Sequence, residues 1–162
     1  MSAAPEGGRI AARLAELGLT LPAVAAPVAA YVPAVVDGDR VWTSGQLPFV
    51  DGALPATGKV GEGPGLVPPA DASHLARVAA LNALAAVASV LGGLDRITRI
   101  VKVVGFVASD PSFTGQPGVV NGASLLLGEV FGDAGVHARS AVGVAVLPLD
   151  SPVEIELVAA FR

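Results

Sequence analysis

The run Ala138-Arg139-Ser140-Ala141-Val142-Gly143-Val144-Ala145-Val146 sets one guanidinium among small side chains. In a strand, alternate residues share a face. Ser140, Val142, Val144 and Val146 then make one face, suited to packing on helices. Arg139, Ala141, Gly143 and Ala145 make the other, where a cation stands beside open space. Arginine is permanently charged and offers a planar fork of donors that grips a carboxylate through two hydrogen bonds. The competing reading is a strand-end arginine in a structural salt bridge, and spacing alone favours neither. Farther on, Glu154 and Glu156 alternate with Val153, Ile155 and Leu157. A solvent-facing acidic edge is the simplest explanation. A carboxylate facing a semi-enclosed cleft would instead hold or activate a water.

Other chemistries fall away. The chain has no cysteine, which removes disulfides, thiolate nucleophiles and Cys-based zinc sites. Its two histidines, His74 and His137, lie far apart with no HExxH spacing, so no metal is expected. His74 reads as solvated and His137 as a loop-end residue, although it precedes Arg139 closely. No serine sits in a G-x-S-x-G elbow. Gly52 to Lys59 imitates a phosphate loop, but Val60 stands where Ser or Thr should bind magnesium. Gly61, Gly63 and Gly65 belong to a loop and make no dinucleotide fingerprint.

The elements that must position Arg139 and Glu154 follow from periodicity. Ile10, Leu14 and Leu17 share a helical face over Arg9 to Leu17, and Gly18 stops that helix. Leu21 to Ala30 reads as extended. Tyr31 to Val36 and Arg40 to Leu47 read as a hairpin about Asp37-Gly38-Asp39, with Gly45 marking a bulge or a close backbone approach. Phe49 to Pro69 reads as a long Gly/Pro-rich loop. Ala70 to Leu91 is the clearest helix, with Asp71 or Ser73 as cap and Gly92-Gly93 as stop. Ile97 to Ala108 is a strand apolar on both faces, and Pro117 to Phe131 a second long helix. Ala138 to Leu147 and Pro152 to Phe161 are two final strands around Pro148-Leu149-Asp150-Ser151. The expected class is α+β: one mixed sheet with two long helices on one face, plus an extra N-terminal helix.

At 162 residues, one domain spans 1–162, with 1–20 as an N-terminal extension and 21–162 as the core. Hydrophobic residues make up 52% and charged residues only 15%, too few charges to coat a free surface. A second copy of the chain is the economical cover for the outer sheet face. Net charge is −4, basic residues are scattered and aromatics scarce, so no nucleic-acid partner is expected. Val78 to Leu94 is uncharged but short of a bilayer span and interrupted by Asn82 and Gly92-Gly93, so no membrane partner is expected. Met1 to Glu6 shows no secretory pattern, and the missing cysteines fit a reducing compartment; a cytoplasmic location is the expectation.

Two motifs carry a resemblance. His137-Ala138-Arg139-Ser140-Ala141-Val142 through Leu147-Pro148-Leu149-Asp150-Ser151-Pro152-Val153-Glu154-Ile155-Glu156 resembles the C-terminal signature of the RidA (YjgF-like) reactive-intermediate deaminase family. Thr43-Ser44-Gly45-Gln46-Leu47-Pro48 is similar to its TSGQ-[IL]-P motif. Tyr31, Asn82, Val101 to Val107 and Asn121 also fall at family positions. The resemblance implies a chorismate-mutase-like fold, a homotrimer with sites between subunits, and no cofactor. It implies hydrolysis of enamines and imines, such as 2-aminoacrylate, to 2-keto acids and ammonia, a 2-iminobutanoate/2-iminopropanoate deaminase-type reaction. Carried over, Arg139 grips the substrate carboxylate and the Gly45 N–H adds a bond to it. Glu154 orients the water or shuttles its proton, and Tyr31, Ser44 and Asn121 line the pocket. Ala141 stands where many members have Cys and would contribute backbone polar groups. Ala30, Gly143 and His137 also depart from the pattern, and the chain resembles a longer subgroup. The alternative is a non-catalytic trimer that binds small carboxylates. Hairpin arithmetic adds an expectation. If Glu154 faces about residue 146, Arg139 lies roughly 23 Å along its strand, so the two meet on one ligand only from different subunits.

Overall fold

The computed structural model describes residues 7–24, 26 and 30–162. Helix α1 (Arg9–Glu16) buries Ile10 and Leu14 and ends two residues before Gly18, whose φ of +69° suits glycine. Residues 21–24, 26 and 30 carry no regular structure; the rest of the expected extended segment lies outside the described residues. Strands β1 (Ala34–Asp37) and β2 (Arg40–Thr43) form the expected hairpin, shorter at its open end, where β1 starts after Tyr31 and β2 stops before Leu47. Helix α2 (Pro69–Leu91) leads to β3 (Ile97–Ala108), α3 (Gln116–Phe131), β4 (Ala138–Val144) and β5 (Val153–Phe161).

The sheet runs in the order β1-β2-β5-β3-β4, with only β3 and β4 parallel. Two expectations change here. β4 and β5 do not form a hairpin, because β3 lies between them. The 3-10 turn Pro148–Asp150 therefore serves a crossover, in which Leu149 and Asp150 both take positive φ. The helix α2 carries no side-chain cap from Asp71 or Ser73; the residue before its first turn is Pro68 and a proline opens it. Gly92 stops it in the left-handed region.

Both long helices cover one sheet face, formed by Val41, Val103, Val107, Ile155, Leu157 and Ala159, all buried. Helix α2 is long and apolar enough to cross a membrane by length and composition, yet its inner stripe of Ala72, Ala76, Ala79, Ala83 and Ala86 is fully buried. Alanines there let the helices sit close: a Cβ on Gly122 of α3 would overlap the Ser73 carbonyl of α2. The opposite sheet face is open. It presents Trp42 at 52% and Val142 at 42% exposure, large apolar side chains that a free monomer would leave in water.

The register also reverses the assignment of faces on β4. Arg139 pairs with Val103, Ala141 with Gly105 and Gly143 with Val107, which places these three on the helix side. Ser140 and Val142 pair with Val104 and Phe106 and face outward. Alternation sorts residues into two sets without saying which is inward. Helix approach explains the small residues beside Arg139: a Cβ on Gly143 would meet the Gln116 side chain, and one on Gly105 would meet Val120.

Candidate functional site

Arg139 stands on β4 against a stripe of α3. Its Nη1 donates to Asn121 Oδ1 at 2.7 Å and to Ser124 Oγ at 3.3 Å, and its Nη2 donates to the Pro117 carbonyl at 3.3 Å. Pro117, Asn121 and Ser124 are spaced i, i+4, i+7, one face of a helix. A guanidinium has five N–H donors, so these three bonds leave two. Two is the number that one carboxylate accepts from a fork. No carboxylate among the described residues pairs with Arg139; the ion pairs are Arg13–Glu16, Arg40–Asp39 and Arg77–Glu129. An open cleft of about 300 Å³, lined by Ser124, Gly128, Gly135, Val136, His137 and Arg139, lies beside it. Among the described residues of the chain, Arg139 therefore makes hydrogen bonds to neutral oxygens and no salt bridge.

Glu154 lies on the other face of the sheet, where it pairs with Phe106. The chain that approaches it is bulged. Trp42 pairs with Val158 and Gln46 with Ile155, so four steps on one strand oppose three on the other. Thr43 Oγ1 accepts from the Leu157 N–H within the bulge. The extra residue brings Gly45 onto the Glu154 carboxylate, where any Cβ would overlap it. Gly45 thus meets both sequence expectations, a bulge and a close approach. Its N–H has no acceptor among the described residues. Tyr31, Gly45, Leu47, Phe49, Leu149 and Glu154 line a mainly apolar pocket of about 410 Å³. Half-buried there, the Glu154 carboxyl is pushed above the ordinary carboxylate range, first by desolvation and then by the like charge of Glu156.

The structure therefore groups the sequence-derived residues in two sets. Arg139 and Asn121 share one, with Ala141 under α3 on the same side of the sheet. Tyr31, Gly45 and Glu154 share the other. Ser44 stands apart: its hydroxyl donates to the Val32 carbonyl at 2.7 Å and holds the loop before the bulge. The hairpin arithmetic used the wrong neighbour. By the observed register, Arg139 and Glu154 are offset by three residues and two strands, about 14 Å between Cα atoms, and they point to opposite faces. Within one chain they do not address a common ligand.

Sequence reasoning missed Ser124. The signal for Ser124 was its place one helical turn from Asn121. His137 stands at the loop end just before β4, as expected, and its ring is held there by Ser124 and the Gly135 carbonyl.

A five-stranded mixed sheet with both long helices on one face and an exposed apolar face opposite defines an α+β domain of the chorismate-mutase-like class. The family model described as "YjgF/chorismate_mutase-like, putative endoribonuclease" matches residues 11–161. Protein TCP17 of Trypanosoma cruzi is 45% identical over 150 residues, 92% of each chain. Protein Atu1372 of Agrobacterium tumefaciens superposes with a TM-score of 0.86 at 44% identity, covering 94% of this chain and 92% of that one. Escherichia coli TdcF with bound serine superposes with a TM-score of 0.62 at 28% identity, over 88% of this chain and 96% of that one. The chain belongs to the YjgF/RidA family.

Proposed function

We propose that the protein hydrolyses reactive 2-imino acids, of the kind that 2-aminoacrylate becomes on tautomerisation, to 2-keto acids and ammonia. The working unit is a homotrimer in which the Arg139 half-site of one protomer meets the Glu154 half-site of the next. The observation that carries this reading is the unspent pair of donors on Arg139 beside an open cleft. TdcF holds serine, itself a small carboxylate, which supports the ligand class.

The chemistry asks little. Arg139 and the free Gly45 N–H hold the substrate carboxylate. Water adds to the C=N carbon while Glu154 takes a proton from it. Glu154 returns that proton to the carbinolamine nitrogen, the C–N bond breaks with its electrons on ammonia, and the hydroxyl then gives its proton back to the Glu154 carboxylate, leaving the keto acid. Orientation alone supplies several kcal/mol towards such a barrier, and proton management adds roughly 10²–10⁴-fold. The raised pKa makes Glu154 a better base than an ordinary carboxylate. No cofactor is called for. A net charge of −4 and scattered basic residues support a small-molecule substrate over RNA.

The test is a coupled assay in which a pyridoxal-phosphate dehydratase generates 2-aminoacrylate and loss of the enamine signal is followed. Wild type should accelerate the loss and Arg139→Ala should not. If both are inert yet wild type alone binds pyruvate, the protein is a small-carboxylate binder and the hydrolytic step is withdrawn.

A further inference from the structure

The Arg139 fork is itself held by a chain of groups that the reaction does not use. Ser124 Oγ lies 2.9 Å from His137 Nε2, and His137 Nδ1 lies 2.6 Å from the Gly135 carbonyl oxygen. Proton bookkeeping fixes the direction of this chain. A carbonyl only accepts, so Nδ1 must carry the proton. In the neutral ring Nε2 is then an acceptor, and the Ser124 hydroxyl must donate to it. With its proton committed there, Ser124 Oγ has its lone pairs free for Arg139 Nη1. A helical serine would otherwise turn its hydroxyl back to the carbonyl one turn before. Here His137 draws it outward.

We infer that Ser124 and His137 are positioning residues that hold the Arg139 guanidinium with two N–H groups aimed at the ligand. This rests on the carboxylate-binding role given to Arg139 above. Asn121 fixes one hydrogen of Nη1 and Ser124 the other, while the Pro117 carbonyl takes one from Nη2. Without Ser124 the guanidinium can rotate about its stem and spend a donor on water or on Asn121. Without His137 the Ser124 hydroxyl loses its acceptor and returns to the helix backbone. In both cases the fork is no longer set before the ligand arrives, and affinity falls more than turnover.

Two measurements on the full chain decide this. With only two histidines, imidazole nitrogen NMR reads His137 directly, and it should show the Nδ1–H tautomer. The Nε2–H tautomer would overturn the proposal without any variant being made. Calorimetric binding of pyruvate should weaken about tenfold in Ser124→Ala and in His137→Ala, with the kinetic loss falling on KM rather than kcat. Ser124→Thr, which keeps the hydroxyl, should restore affinity. Unchanged pyruvate affinity in both alanine variants, with Arg139→Ala unable to bind, sinks the positioning role and leaves the site intact. If Arg139→Ala binds pyruvate as wild type does, the carboxylate site falls and this inference with it.

Discussion

Arg139 is a residue whose surroundings make charge insufficient. Its partners are neutral oxygens in fixed directions, so Arg139→Lys keeps the cation and loses the fork. We expect KM to rise at least about tenfold, read in the coupled assay. Under the proposed hydrolysis, Glu154 should set the pH dependence. As a base it must be charged, and its pKa is raised, so the rate should fall as pH drops through that raised value. Glu156→Gln removes the like charge and should move this acid limb to lower pH. Linkage gives the opposite sign for stability. The folded chain holds the Glu154 proton more tightly than the unfolded chain, so stability is lost as pH rises from the ordinary carboxylate range through the folded pKa. Glu154→Gln should therefore melt higher than wild type above that range and equally below it, while losing activity. Arg139 and Glu154 were legible through the family-like motif that contains them, and not through spacing, which favoured neither reading of the arginine and a plain acidic edge for the glutamate. Ser124 and His137 were not, because their meaning depends on which strand face α3 covers.

At the scale of elements, two close approaches do the positioning. The bulge before Gln46 places Gly45 over Glu154, and Gly45→Ala should push the carboxylate out of the pocket. We expect activity to fall with little change in the far-ultraviolet circular dichroism. Gly122 lies against the Ser73 backbone, which cannot move aside as a side chain can. Gly122→Ala should cost about 1–3 kcal/mol in urea unfolding, by parting α2 from α3. The helices, the long β3 and the bulge were readable from apolar periodicity and from glycine placement. The partner of β4 was not. Short connections suggest hairpins, but Pro148–Asp150 links strands that are not neighbours, and no local signal separates the two cases. The inward face of β4 was lost for a related reason: Ala141 and Gly143 look like room for a ligand and are instead room for a helix.

For the whole molecule, the open face of the sheet makes the sharpest demand. Trp42→Asp puts a charge where an apolar neighbour is expected, and should turn a sedimenting trimer into monomers without enamine hydrolysis. A species that sediments as a monomer before the substitution would end the trimeric reading. The location of Arg139 and Glu154 on opposite faces of one sheet has a genetic corollary. Under the proposed function, two alleles, one lacking the guanidinium and one lacking the carboxylate, should each be inactive alone. Refolded together into mixed rings, they should regain activity, since about a quarter of the junctions then draw an intact group from each parent.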